Sequence, residues 1–272
     1  MSPLSEELRA YFQGHAAEVE RELCAAIESE GDRFSSQERL LRRFRDSVAL
    51  LMDRGLGQLN GFIEAHNELC VAVLVLEDPN EPTCIRLDYE PTMSSCSQKF
   101  DFRAVLSSGS TVWIEVKTIR PTSQDDWERF ERVVESGYIP RNVRVTLDQD
   151  WLGGELFHNM YAARSKMLQY SLETEGKITS CLSSARDDTT LLAFFSDGFR
   201  WHLDELEDFV AFYLTGHYWP GDPFQDMQQH YMTEHNITFT RNIKSFAFIR
   251  RPIRLVRPDR VMWKVEPPAL PG

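Results

Sequence analysis

Lys99–Pro121 reads KFDFRAVLSSGSTVWIEVKTIRP, and the way this stretch pairs with itself decides the fold. Two apolar-alternating runs flank the turn-forming residues Ser107, Ser108, Gly109 and Ser110, so the stretch predicts a β-hairpin. Strand side chains alternate between faces. Phe100, Phe102, Ala104 and Leu106 in the first arm and Val112, Ile114 and Val116 in the second hold even positions, and all are apolar. The odd positions carry Asp101, Arg103, Glu115 and Lys117 among Val105, Thr111 and Trp113, so the even face is expected to be the core and the odd face to carry the charge. A two-residue turn at Ser108–Gly109 pairs Leu106 with Thr111 and mixes the two sets. A three-residue loop, Ser107–Ser108–Gly109, pairs Leu106 with Ser110 and Asp101 with Glu115, with Gly109 in the left-handed position that such loops require. Register slips by one residue invert every side chain, so only the odd-length loop keeps the pattern.

Asp101, Glu115 and Lys117 are thereby predicted to lie side by side. Two carboxylates that close conflict, and one of them holds its proton unless a cation intervenes. Oxygen ligands open to water suit Mg²⁺ (or Mn²⁺), which polarises a phosphoryl oxygen and activates water. Lys117, two residues from Glu115 on the same face, is placed to hold the attacking water or to stabilise developing charge. The trio predicts phosphodiester hydrolysis. The competing reading is a surface hairpin with an ordinary cross-strand ion pair.

Working outward, residues 1–56 read as an N-terminal helical region. Leu8, Phe12, Ala16, Val19 and Leu23 recur close to helical period. A second helix opens on Ser35, Ser36 and Glu38 in a capping arrangement and stops at Gly55. Its Arg39, Arg42, Arg43 and Arg45 read as a solvated face, with a phosphate-facing role as the second reading. Helices are expected over 59–77, 155–173 and 202–216, and strands over 85–90, 99–106, 111–119 and 190–196. A further short helix after Pro121 and a strand at NVRVTL complete the centre, and SFAFIRRPIRLVRP gives a last strand or strand pair. The expected fold class is α/β, a mixed central sheet flanked by helices on both faces.

FDF at 100–102 and IEVK at 114–117, on consecutive strands, resemble the PD-(D/E)XK nuclease superfamily, the restriction-endonuclease-like fold. The predicted order of helix, three strands, helix and strand resembles that family's core and extends the likeness over about 57–215, within a domain of 57–265. Lys99–Phe100 stands where the family name has a proline. The resemblance implies Asp101 and Glu115 as metal ligands and Lys117 as the catalytic lysine. It also implies a further glutamate from the first core helix; Glu64 and Glu68 lie one turn apart there, and Glu68, next to the buried run, is preferred. A Gln or Lys on the helix after the motif strand is a further family feature, and Lys166 and Gln169 fill that place.

The chain is acidic, with net charge −12 and pI near 5.1. That balance opposes indiscriminate coating of nucleic acid and leaves room for a local basic groove. The most basic segment, 241–260, interleaves Arg250, Arg251 and Arg254 with apolar residues. It reads either as a strand presenting arginines to phosphates or as a charged sheet edge. Tyr218, Trp219 and Tyr231 are candidates for stacking on unpaired bases. His217, His230 and His235 lack metal-ligand spacing, no GxGxxG or P-loop follows a strand, and no GxSxG is present. Five cysteines without a CxxC pair predict reduced thiols. With no apolar leader and no expected membrane span, the chain reads as a soluble, cytoplasmic protein. The expected activity is that of a Mg²⁺-dependent nuclease on nucleic acid, DNA favoured over RNA, with a homodimer or protein contact through the N-terminal helices. The rival is a catalytically inactive nuclease-fold protein that binds nucleic acid or a protein partner.

Overall fold

The computed structural model describes residues 4–91, 98–119, 155–182, 188–196, 203–216, 232–233 and 238–265. The expected helix after Pro121, the NVRVTL strand, and His217, Tyr218, Trp219, His230, Tyr231 and His235 lie outside them. The protein is mixed α/β, with a six-stranded mixed sheet between helical layers.

Four α-helices come first, α1 (Glu6–Val19), α2 (Ala25–Ser29), α3 (Gln37–Arg54) and α4 (Leu59–Leu76), with a π-helical turn at Glu20–Cys24 joining α1 to α2 and a 3-10 turn at Leu56–Gln58 before α4. The sheet runs β1 (Cys84–Tyr89), β2 (Phe102–Leu106), β3 (Thr111–Thr118), β4 (Asp188–Ser196), β5 (Ser245–Arg250) and β6 (Arg260–Val265), in that spatial order. Pairing is antiparallel from β1 to β3, parallel from β3 to β5, and antiparallel again at β6. Helix α5 (Glu155–Cys181) lies in sequence between β3 and β4, and α6 (Leu203–Thr215) between β4 and β5. Both are the crossovers that parallel neighbours require.

The sheet separates two apolar cores. On one side Leu191, Ala193, Phe195, Ala247 and Ile249 meet α1, α3 and α4. On the other, Leu192, Phe194, Phe246 and Phe248 meet α5 and α6. Strands buried on both faces carry continuous apolar runs for this reason. The N-terminal helices share the core of α4 and the sheet, through Leu8, Phe12, Val19, Leu40 and Phe44. Helix α4 is apolar on nearly every side and is enclosed accordingly. By length and composition Leu56–Leu76 is long and apolar enough to cross a membrane, which corrects the expectation that no stretch is; most of it lies buried inside the protein, as a core helix does.

The hairpin takes the predicted register. Phe102 faces Ile114 and Ala104 faces Val112, so the frame sets Asp101 opposite Glu115. Leu106 N–H donates to the Ser110 carbonyl and Gly109 N–H to the Leu106 carbonyl, with Gly109 at φ +86°. The face assignment needs correction. Trp113, at an odd position, joins Phe100 in the α5/α6 core, with ring centroids 5.5 Å apart. The chain bends at Asp101 and β2 begins only at Phe102, so Phe100 lies outside the alternation.

Other expectations shift for local reasons. Ser36 makes no side-chain cap for α3; its hydroxyl accepts instead from the Tyr89 N–H at 2.7 Å and ties α3 to β1. Helix α5 runs two turns past Glu173, through Gly176, to Cys181. Buried Glu175 on it accepts from the Tyr213 hydroxyl and from the Thr240 and Arg241 N–H groups, at 2.6–2.8 Å, anchoring the chain that enters β5. Cys24, Cys70 and Cys84 are free and buried, whereas Cys181 is disulfide-bonded, which corrects the expectation of reduced thiols throughout.

A Cβ at Gly109 meets nothing within 4 Å, so substitution there is penalised only through the backbone. Gly109→Ala is expected to lower stability by about 1–2 kcal/mol, read as a shift in urea midpoint with unchanged slope, while Ser108→Ala is close to silent. Equal stability of Gly109→Ala and the wild type contradicts the left-handed loop.

Candidate active site

Beyond Ile114, β3 outruns β2, because β2 pairs with it only from Phe102 onward. The uncovered end of β3 lies where α4, from one face, and α5, from the other, approach the same strand edge. A cavity of about 290 Å³ opens there, lined by Arg43, Glu64, Glu68, Asp101, Glu115, Lys117 and Tyr170, with Val116 and Thr118.

Asp101 caps the exposed strand: its Oδ2 accepts the Val116 N–H at 2.7 Å, a bond that a longer β2 would have supplied from its backbone. Burial and the Glu115 charge push its carboxyl up to about 7, against the pull of that N–H, Lys177 and Lys117. Glu115 is only 2% exposed. Its Oε1 takes Lys177 Nζ at 2.6 Å and Lys117 Nζ at 2.9 Å. Its Oε2 is buried with no hydrogen-bond partner. A buried, unsatisfied carboxylate oxygen costs free energy unless a ligand completes it. Lys117 also lies 3.7 Å from Glu173 and 5.3 Å from the Tyr170 ring centroid. Burial opposes its charge, but Glu115, Asp101 and Glu173 outweigh burial and raise its pKa.

Glu68 is buried on α4 and engaged on both oxygens. Tyr89 donates its hydroxyl to Oε2 at 2.8 Å, and Arg43 lies 3.0 Å from Oε1. Burial and the nearby Asp101 push its carboxyl up to about 8. Glu64, the alternative on the same helix, lines the same cavity. Among the described residues, no three His, Cys, Asp or Glu side chains form a ready metal-binding group. The donor chemistry still suits a hard cation: two adjacent carboxylates, one carrying a buried free oxygen and one strained by like charge.

The structure thus brings Asp101, Glu115, Lys117, Glu64 and Glu68 to one cavity and leaves the other expected contacts elsewhere. Gln169 is exposed and donates to Glu173 at 3.0 Å, and Lys166 does not line the cavity. Arg250 pairs with Asp259 at 2.9 Å, and Arg254 is exposed. Arg251 is 3% exposed, with its Nε donating to Asn67 at 2.7 Å, because β5 ends at Arg250 and the chain turns inward. The arginine row expected to face phosphates is therefore divided among three environments. His15 and His66 are core residues, with ring centroids 5.3 Å apart.

Lys177 joins the site without having been expected there, and Arg43 joins it from a row whose first reading was a solvated face and whose second was phosphate-facing. Lys177 shares a helical face with Tyr170 and Glu173, but it lies beyond Glu173, where the sequence pattern ends the helix. Arg43 is one of four similar arginines. Arg39 goes to the Tyr89 and Glu90 carbonyls and Arg45 to Glu20 and Glu28, while Arg43 alone of the four lines the cavity.

The raised carboxyls set a pH dependence. Their ordinary values are 3.8 for Asp101 and 4.5 for Glu68, so the folded protein keeps protons that the unfolded chain has released. That stabilisation is complete below about pH 4 and is lost as pH rises through about 7 to 8. His15, lowered to about 4 by burial, acts oppositely, but only below its ordinary 6.5. Between about pH 6.5 and about pH 8, metal-free protein is expected to melt at progressively lower temperature. Asp101→Asn, which keeps an acceptor for Val116, is expected to flatten that slope and to raise the melting point at the upper end, by roughly 2–4 °C for each kcal/mol relieved. An unchanged slope contradicts the like-charge conflict.

No family model, no curated protein and no solved structure matches this chain, so its chemistry is read from its own geometry.

Proposed function

We propose that the protein is a divalent-cation-dependent nuclease on a restriction-endonuclease-like core, hydrolysing phosphodiester bonds of nucleic acid, DNA in the first instance. The observation that carries the reading is the buried, unpartnered Oε2 of Glu115 beside the strained Asp101 carboxyl, in one cavity with Lys117. The order α4, β1, β2, β3, α5, β4 supports it as well.

In this reading Asp101 and Glu115 hold Mg²⁺ or Mn²⁺. The bound cation supplies Lewis-acid stabilisation of the phosphate charge. Lys177 keeps one oxygen of Glu115 occupied and aimed, and the other is left buried without a hydrogen-bond partner, where a bound cation would complete it. Lys117, cationic and half-buried, faces the phosphate, where it orients the water and stabilises charge that grows in the transition state. Glu115 is 2% exposed, and at such burial its interactions with neighbouring charges are stronger than in bulk water.

One observation favours the second reading, a non-catalytic protein on the same fold. Lys177 and Lys117 already neutralise Glu115, and Arg43 neutralises Glu68, so the acids have protein partners. Cleavage assays separate the two. With Mg²⁺ or Mn²⁺ and labelled DNA and RNA, wild type is expected to cut. Asp101→Ala is expected to abolish metal-dependent cutting, and Lys117→Ala to slow it roughly 10²–10³-fold, both variants retaining wild-type circular dichroism. Undiminished cutting by both variants, or none by wild type with either metal, contradicts the nuclease reading.

A further inference from the structure

One side chain lining the cavity comes from a helix outside the likeness to the nuclease core. Arg43 stands on α3 and reaches the carboxylates across α4. Its guanidinium is fixed in a closed triangle: Nη1 donates to the Tyr89 hydroxyl at 2.9 Å, Nη2 lies 3.0 Å from Glu68 Oε1, and Tyr89 in turn donates to Glu68 Oε2. Of the five N–H groups a guanidinium carries, those two nitrogens use one each. The remainder meet no protein acceptor among the described residues, and the side chain is 38% exposed. The unpartnered Glu115 Oε2 in the same cavity is an independent sign that something completes this space.

An anion entering here passes Asp101, Glu115, Glu64 and Glu68, so it needs fixed positive charge on more than one side. Lys117 supplies it from β3. Arg43 supplies it from α3, with a planar fork suited to phosphate oxygens. The two carboxylate oxygens of Glu68 are spent on aiming that fork, which gives Glu68 a different task from the metal-ligand role expected of it.

Resting on the nuclease reading, we propose that Arg43 is a phosphate-binding residue of this site, gripping a non-bridging oxygen of the nucleic-acid backbone, and that Glu68 and Tyr89 position it. The N-terminal helices then belong to the substrate site as well as to the core.

Equilibrium binding without catalysis tests this. A fluorescently labelled DNA duplex and its RNA counterpart are titrated by anisotropy in EDTA and in Ca²⁺, and Mn²⁺ uptake is measured separately by calorimetry. Arg43→Met is expected to weaken oligonucleotide binding roughly tenfold or more and to lower the salt slope by about one. Arg43→Lys recovers part of that loss, and Mn²⁺ uptake is unchanged. Glu68→Gln is expected to weaken oligonucleotide binding severalfold and to leave Mn²⁺ uptake intact. The double variant Arg43→Met/Glu68→Gln removes both members of the ion pair and serves if Arg43→Met alone folds poorly; it is expected to bind like Arg43→Met. Wild-type oligonucleotide affinity in the Arg43 variants overturns the proposal, as does loss of Mn²⁺ uptake with unchanged oligonucleotide affinity in Glu68→Gln. Those results leave the nuclease reading standing. A wild-type chain that binds neither oligonucleotide nor Mn²⁺ overturns both.

Discussion

Leu106 closes onto Ser110 across a loop with Gly109 in the left-handed region, and that closure fixes which side chains meet at the other end of the hairpin. Because strand side chains have period two, a loop one residue shorter would turn Asp101 and Glu115 to opposite faces. The early start of β2 is the second half of the constraint. With no β2 residue alongside it past Ile114, β3 needs an acceptor on that edge for the Val116 N–H, and the Asp101 carboxylate provides it. One short strand therefore both opens the cavity and sets an acid at its edge.

The consequence of that geometry is electrostatic. Buried carboxylates are tolerated only when paired or bonded. Here the partners come from separate layers: Lys117 from the sheet, Lys177 from α5, Arg43 from α3 and the Tyr89 hydroxyl from β1. Even so, Asp101 and Glu68 remain strained and one oxygen of Glu115 remains bare. A network built only for stability would be expected to satisfy its members. The residual strain is what marks this corner, rather than the count of charges in it.

Much of this is legible in the sequence where the signal is periodic. The alternation through 100–117, together with Gly109, dictates the hairpin register. The unbroken apolar runs in β4 and β5 announce strands covered on both faces, and Glu68 sits at the polar end of an apolar helix. Legibility fails where a long-range partner overrides a local rule. Trp113 reads as part of a charged face until α5 and α6 cover it. Ser36 reads as a helix cap until the Tyr89 N–H competes for its hydroxyl. Arg251 reads as a strand arginine until the chain turns inward and Asn67 accepts from it. Lys177 is the instructive omission, and Arg43 the residue its row's first reading left in solvent. Each is an ordinary helix cation by pattern, and only the tertiary packing that brings it to the acids of one cavity distinguishes it from Lys166 and Arg45.

The central claim is that Asp101 and Glu115 share a hard cation at the uncovered end of β3. Anomalous diffraction from crystals equilibrated with Mn²⁺ tests it most directly. The account predicts a peak in the cavity about 2.1–2.2 Å from an Asp101 oxygen and from Glu115 Oε2, lost in crystals of Glu115→Gln. A well-ordered cavity without that peak at saturating Mn²⁺, or a peak bound only to other residues, contradicts it.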